Sequence, residues 1–288
     1  MTAEQSSDQQ AAWSDSNEPE QILTEAGVCT DEDVDLALTA LALAALDRPR
    51  VSLDRYRRHL QELADDIARR AGGAVSAEDR AAVLGEVLGN DYGYEGDLAT
   101  YDDLQNANLM RVIDRRRGLP VALGILYIHG ARAQGWPMVG INFPGHFLLR
   151  MECEGERVIL DPFEPGRRLE ANDLRELFKR LAGEDAELET RFFDAVGNRE
   201  ILLRLQNNIK SRALRSGDVV RAAAALKSMI RIAPDHVNAW YELGLLEAQA
   251  DNLRAAITAL ETFLSKSAHD AARHHAATLI QELHAKLN

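Results

Sequence analysis

Residues 120–134, PVALGILYIHGARAQ, are apolar on nearly every side of a 3.6-residue helix, and no other feature of the chain restricts its fold as much. A helix without a polar face must be covered all round, so the other elements have to be arranged about it. Proline suits its first position, where φ is preset and the missing N–H would be unpaired anyway. Gly135-Trp136-Pro137 closes it. The pattern then switches from a helical period to alternation. MVGIN reads as a short strand, and HFLLRMEC and ERVIL flank Glu154-Gly155 as the arms of a β-hairpin.

A two-residue turn at Glu154-Gly155 sets Leu148 opposite Asp161 and His146 opposite Phe163. His146 and Asp161 then share a face as diagonal neighbours, roughly 7–8 Å apart at the backbone, which lets a carboxylate reach the imidazole. A three-residue loop would put them on opposite faces. Such a pair serves either as a base with its orienting acid or as a structural polar tie at a sheet edge.

Before the buried helix the periodicity is helical from Asp31 to about Arg116. DEDVDLALTALALAAL opens with acidic residues and stops before Pro49. Ser52 is a fitting N-cap for a second helix whose Leu53, Tyr56, Leu60, Leu63 and Ile67 line one face. Ser76 and Asp79 form a capping pair for a third, and a fourth runs through Leu104, Leu109, Val112 and Ile113 to RRRG. From Asn172 onward the chain again reads as helical. The first 28 residues are acidic and lack Lys and Arg, the composition of a disordered tail that solubilises or docks.

The C-terminal third repeats itself. Residues 203–236 and 237–270 align at an offset of 34, the tetratricopeptide period. Ile209 matches Leu243, Ala222 matches Ala256, Leu226 matches Leu260, and Met229 matches Phe263. The turn Gly217-Asp218 matches Asp251-Asn252, and Pro234 closes the first copy. Glu247 stands where an aromatic is usual. Two copies bury too little alone, so AARHHAATLIQELHAKL is expected to cap the stack.

The run from RRRGLPVALGILYIHGARAQGWP through PGHFLLRM to VILDPF resembles the transglutaminase-like core. More narrowly, the chain is similar to bacterial SirB-type proteins, which join that core to tetratricopeptide repeats. The resemblance implies an α+β, mostly helical fold: a papain-like core with a small antiparallel sheet, then helical repeats. The expected divisions are a tail over 1–28, the transglutaminase-like domain with its N-terminal helices over 29–197, and the repeats over 198–288. In catalytic relatives the resemblance places a cysteine at the N-terminus of the buried helix, about fifteen residues before the Gly-x-Pro turn, with histidine and aspartate on the strands that follow. These map onto Pro120, His146 and Asp161.

Proline supplies neither a thiol nor an N–H at a position where a helix dipole would stabilise a thiolate. Cys153 belongs to the far end of the hairpin, some 23 Å from His146 at strand rise. Cys29 precedes the first helix, and no Ser or Thr occurs between Tyr101 and Leu160. The expectation is a non-catalytic protein in which His146 and Asp161 are a vestigial pair. A protein or peptide partner is expected in the repeat groove near Asn208, Arg212, Tyr241 and Leu245. The alternative is an amide or peptide hydrolase or acyltransferase using His146 and Asp161 with water or another nucleophile.

The net charge of -13 disfavours nucleic acid and anionic membranes. Two cysteines and the want of a signal peptide or apolar span point to a cytoplasmic protein. Neither cofactor nor metal is expected: no phosphate-binding glycine motif occurs, and Asp270, His274 and His275 read as a solvated cap helix. Arg115 to Arg117 either complement a helix C-terminus or grip an anion.

Overall fold

The computed structural model describes residues 18–287. They divide into two compact units, one of Thr30–Ile201 with the residues up to Ile22, the other of Leu23–Cys29 with Leu202 onward.

Helix α1 (Glu18–Val28) corrects the tail expected over 1–28 in its last 11 residues, while residues 1–17 lie outside the described part. Leu23 and Ala26 are three residues apart and both buried, a pair too short for composition to register. Helix α2 (Leu36–Leu46) is capped by Asp35, which accepts from Leu38 N. Helix α3 (Asp54–Arg70) buries Tyr56, Leu60, Leu63 and Ile67 as its spacing requires. It starts one residue later than Ser52 suggests. Leu53 takes the cap position and Ser52 Oγ accepts from Asp54 N at 3.2 Å. Helix α4 (Ala77–Gly85) carries the expected Ser76–Asp79 capping box and runs into a π-helical turn, Glu86–Asp91.

The fourth expected helix is broken in two. A 3-10 turn spans Leu104–Ala107 and helix α5 spans Leu109–Arg115. Asn108 causes the break. Its side-chain oxygen accepts from Arg111 N at 3.1 Å, and its amide donates to Ala44 O at 3.0 Å, so its own backbone stays extended. Two-residue strands β1 (Glu95–Gly96) and β2 (Arg117–Gly118), too short to show a pattern in the sequence, pair in parallel on either side of this segment.

Helix α6 (Pro120–Ala133) is the buried helix, with Pro120 at its first position. It packs on an antiparallel sheet of β3 (Met138–Ile141), β4 (Leu148–Cys153), β5 (Glu156–Asp161), β6 (Arg167–Leu169) and β7 (Ala195–Val196), in the order β6-β5-β4-β3-β7. Gly124 permits the contact: a Cβ there would lie 2.5 Å from the Phe147 ring. Helix α7 (Ala171–Ala182) lays Leu174 and Phe178 against Ile141, Leu148 and Leu169. Among the described residues no helix is long and apolar enough to cross a membrane.

Asp31 holds the end of this unit. Its carboxylate accepts from the amides of Asn198 at 2.8 Å and Arg199 at 2.9 Å, the first residues of helix α8 (Asn198–Arg215). Asn198 returns a bond to Asp31 O at 2.9 Å. Residue 197 has to be glycine, since a Cβ would sit 2.4 Å from Asp31 Oδ2.

In the second unit α9 (Val219–Ile232) and α11 (Leu253–Lys266) start and stop 34 residues apart. Helix α10 (Val237–Gln249) lies between them in the chain, and α12 (Asp270–Leu287) ends the stack. The matched turns share a left-handed residue, Gly217 at φ 76° and Asp251 at φ 60°. Gly244 allows Leu260 to approach within 2.6 Å of where a Cβ would stand. Glu247, the departure from the repeat pattern, is buried in an ion pair with Lys227 at 2.6 Å and accepts from Asn252 at 2.7 Å. Cap residues Ala276 and Leu283 pack with Leu260 and Phe263.

Candidate functional site

The Glu154-Gly155 turn has φ of 49° and 88°, the double left-handed geometry of a two-residue hairpin. Leu149 therefore pairs with Leu160 and Cys153 with Glu156. This register brings His146 to Asp161, with Nε2 and Oδ2 2.9 Å apart. Asp161 is buried and His146 half-buried. The second carboxylate oxygen, Oδ1, accepts from Phe163 N at 2.9 Å, which fixes the carboxylate before it meets the ring. The Phe163 ring stands edge-on to His146 with centroids 6.5 Å apart, and Tyr101 stands edge-on to Phe163 at 5.8 Å.

Strand β1 links this pair to the start of α6. Gly96 pairs with Gly118, two residues before Pro120, and Gly96 N donates to Phe163 O at 2.8 Å. Any side chain at 96 would collide with the Phe163 ring. Tyr127 of α6 lies near Asp161; burial, with that carboxylate adding to it, pushes its hydroxyl up to about 12, so it remains protonated at neutral pH. Nothing in the sequence singles out Tyr101, Tyr127 or Gly96, because their part in the site depends on contacts between distant segments.

Cys153 Sγ donates to Val75 O at 3.1 Å at the turn end of the hairpin, and Cys29 Sγ to Ala26 O at 3.7 Å. The loop before α5 is held by Asp97. Burial alone would raise that carboxyl, but hydrogen bonds from Thr100, Arg115 and Asn106 outweigh it and hold it at about 2.

The three arginines do not act as a group. Arg115 pairs with Asp97 at 2.8 Å, Arg116 lies over Tyr94, and Arg117 pairs with Glu95. In the repeats, Arg212 Nη1 donates to Asn208 Oδ1 at 2.7 Å. Tyr241 packs on Phe263, with centroids 4.9 Å apart, and its hydroxyl meets His275 Nδ1 at 2.5 Å. Leu245 is half-buried on α10. Among the described residues no three His, Cys, Asp or Glu are grouped to hold a metal ion.

A transglutaminase-like superfamily model matches residues 54–207, more than half of the 288. The chain belongs to the transglutaminase-like superfamily. A tetratricopeptide repeat model matches residues 209–281, so the transglutaminase-like region is followed by the repeats that the 34-residue offset marks. A UPF0162 protein of Pseudomonas aeruginosa is 33% identical over 68% of this chain and 71% of its own. Another from Xylella fastidiosa is 29% identical over 88% of this chain and 92% of its own. Protein SirB1 of Salmonella typhimurium is 24% identical over 68% of this transglutaminase-like chain and 73% of its own.

Proposed function

We propose that this is a non-catalytic transglutaminase-like protein that acts, in a regulatory or assembling role, by binding another protein. The observation that carries the reading is Pro120 at the first position of α6. Acyl transfer at such a site needs a nucleophile beside the imidazole, and a helix N-terminus activates a thiol by stabilising its anion. An imino acid offers no nucleophile. What remains of the arrangement is a well-held His146–Asp161 pair, which serves as a structural tie or holds a polar group of a ligand.

The contact surface belongs to the repeats, since tetratricopeptide helices present grooves to segments of other proteins. We assign Asn208, Tyr241 and Leu245 to it. Arg212, only 7% exposed and bonded to Asn208, positions that amide rather than meeting a partner itself.

Two variants of the full chain test the reading. Pro120→Cys should create a thiol that iodoacetamide alkylates at a pH below the ordinary thiol range, and His146→Ala should slow that alkylation. The unaltered chain should neither hydrolyse nor transfer amides. Amide hydrolysis by the unaltered chain that His146→Ala abolishes at unchanged Tm would instead establish the hydrolase or acyltransferase reading.

A further inference from the structure

A groove of about 850 Å³ opens beside the five-stranded sheet where its edge strand stops short. β6 pairs with β5 only from Ile159–Leu169 to Asp161–Arg167, and the chain then leaves the sheet at Glu170, the cap of α7. Among the described residues no strand takes up the place opposite Glu156–Val158 on that side.

Register determines what is left open. In a hairpin closed by a two-residue turn, the flanking pair, here Cys153 and Glu156, exchanges its main-chain bonds. Alternation then directs the N–H and C=O of Val158 and Leu160 toward β4, and those of Arg157, Ile159 and Asp161 away from it. β6 lies against Ile159 and Asp161. The main-chain donor and acceptor of Arg157 face the groove.

The walls carry both apolar and charged side chains. Ile159, Leu169, Leu174, Leu188 and Phe193 contribute the apolar part. Arg157, Arg168, Arg175 and Lys179 stand against Glu78, Glu170 and Glu187. Glu78 is taken up by Arg168 at 3.2 Å, and Glu170 caps α7 by accepting from the amide of Asp173. Arg157 reaches Glu152 at 3.2 Å and Lys179 reaches Glu184 at 3.9 Å, exposed pairs that exchange readily for a better partner. The groove's lining carries four cations against three carboxylates, on a chain whose net charge is -13. A charge on a free edge ordinarily deters self-pairing. Here it stands among apolar lining residues, which give an incoming strand something to bury.

We propose that the groove docks an extended acidic segment of a partner protein. The segment adds to the sheet beside Arg157, lowers alternate apolar side chains onto Ile159 and Leu174, and meets Arg175 and Lys179 with its carboxylates. The surface belongs wholly to the transglutaminase-like unit and stands independently of the repeat surface assigned above.

The test uses the full chain and a fluorescein-labelled peptide, Glu-Val-Asp-Val-Glu-Val-Asp, with a counterpart carrying lysine at every acidic position. By fluorescence polarisation at low salt the acidic peptide should bind at least about tenfold more tightly than the lysine one, and added salt should weaken it. Reversing both Arg175 and Lys179 to Glu should cost about tenfold in affinity. Hydrogen exchange at the Arg157 amide should slow in the complex. Arg157→Pro, tolerated at an outward-facing edge N–H, should weaken binding with little change in Tm. Equal affinity for both peptides, no binding at millimolar peptide, or indifference to the charge reversal would overturn the proposal. So would binding that emerges only when residues 1–17 are removed, which assigns the groove to the chain's own N-terminal segment. Self-association lost in Arg157→Pro would assign it to a second copy, with the same consequence.

Discussion

Arg116 adopts a left-handed backbone, φ 59°, at the end of α5, and that one conformation turns the chain into β2 and the start of α6. Its guanidinium lies 4.7 Å over the Tyr94 ring and 5.4 Å over Tyr92, and reaches His59 Nε2 at 2.9 Å. Burial, then the charges of Arg116 and Arg55, hold the His59 imidazole down at about 4. The unfolded chain, with His59 at its ordinary value of 6.5, binds that proton first. Stability should therefore be full above pH 6.5 and fall as the pH drops toward 4, and His59→Gln should flatten that part of the profile in urea unfolding. None of this was legible in RRRG. A run of three arginines reads as one basic cluster, whereas its members answer to Asp97, Tyr94 and Glu95, each brought in by a different turn of the chain. His146 and Asp161 were legible because the span between them is a single hairpin, whose turn residues set the register.

At the level of elements, the long periodic segments appear where their spacing puts them, and so does the short strand β3, whereas β6 and β7 give no signal of their own. α3, α6 and the β4–β5 hairpin each carry several turns or pairs of a repeating pattern. β6 and β7 have three and two residues, too few to display an alternation, and owe their conformation to the strands beside them. The break at Asn108 has a polar signal, but the carbonyl of Ala44 that fixes it lies 64 residues away. The contact of α6 with β4 invites a direct measurement. Gly124→Ala sets a methyl 2.5 Å from the Phe147 ring and should cost about 1–3 kcal/mol by the shift in urea midpoint. Adding Phe147→Leu should restore part of that loss, because the ring is what the methyl meets.

Across the whole molecule, the helical repeats were the most legible part, since α9 and α11 restate one another at a fixed offset. The buried Glu247 departs visibly from the repeat pattern, but its partner Lys227 is supplied by the other copy. The clasp of Asp31 on Asn198 and Arg199 left no trace in the sequence, being formed across separations of 167 and 168 residues. Asp31→Ala removes the acceptor at the N-terminus of α8 and should cost about 1–2 kcal/mol in thermal unfolding, with Asp31→Asn costing less. That clasp also makes the enclosed stretch of chain nearly circular. A module whose entrance and exit touch can be lifted into a loop of a different host, or reopened at a new point after its old ends are joined, without rerouting any strand inside it.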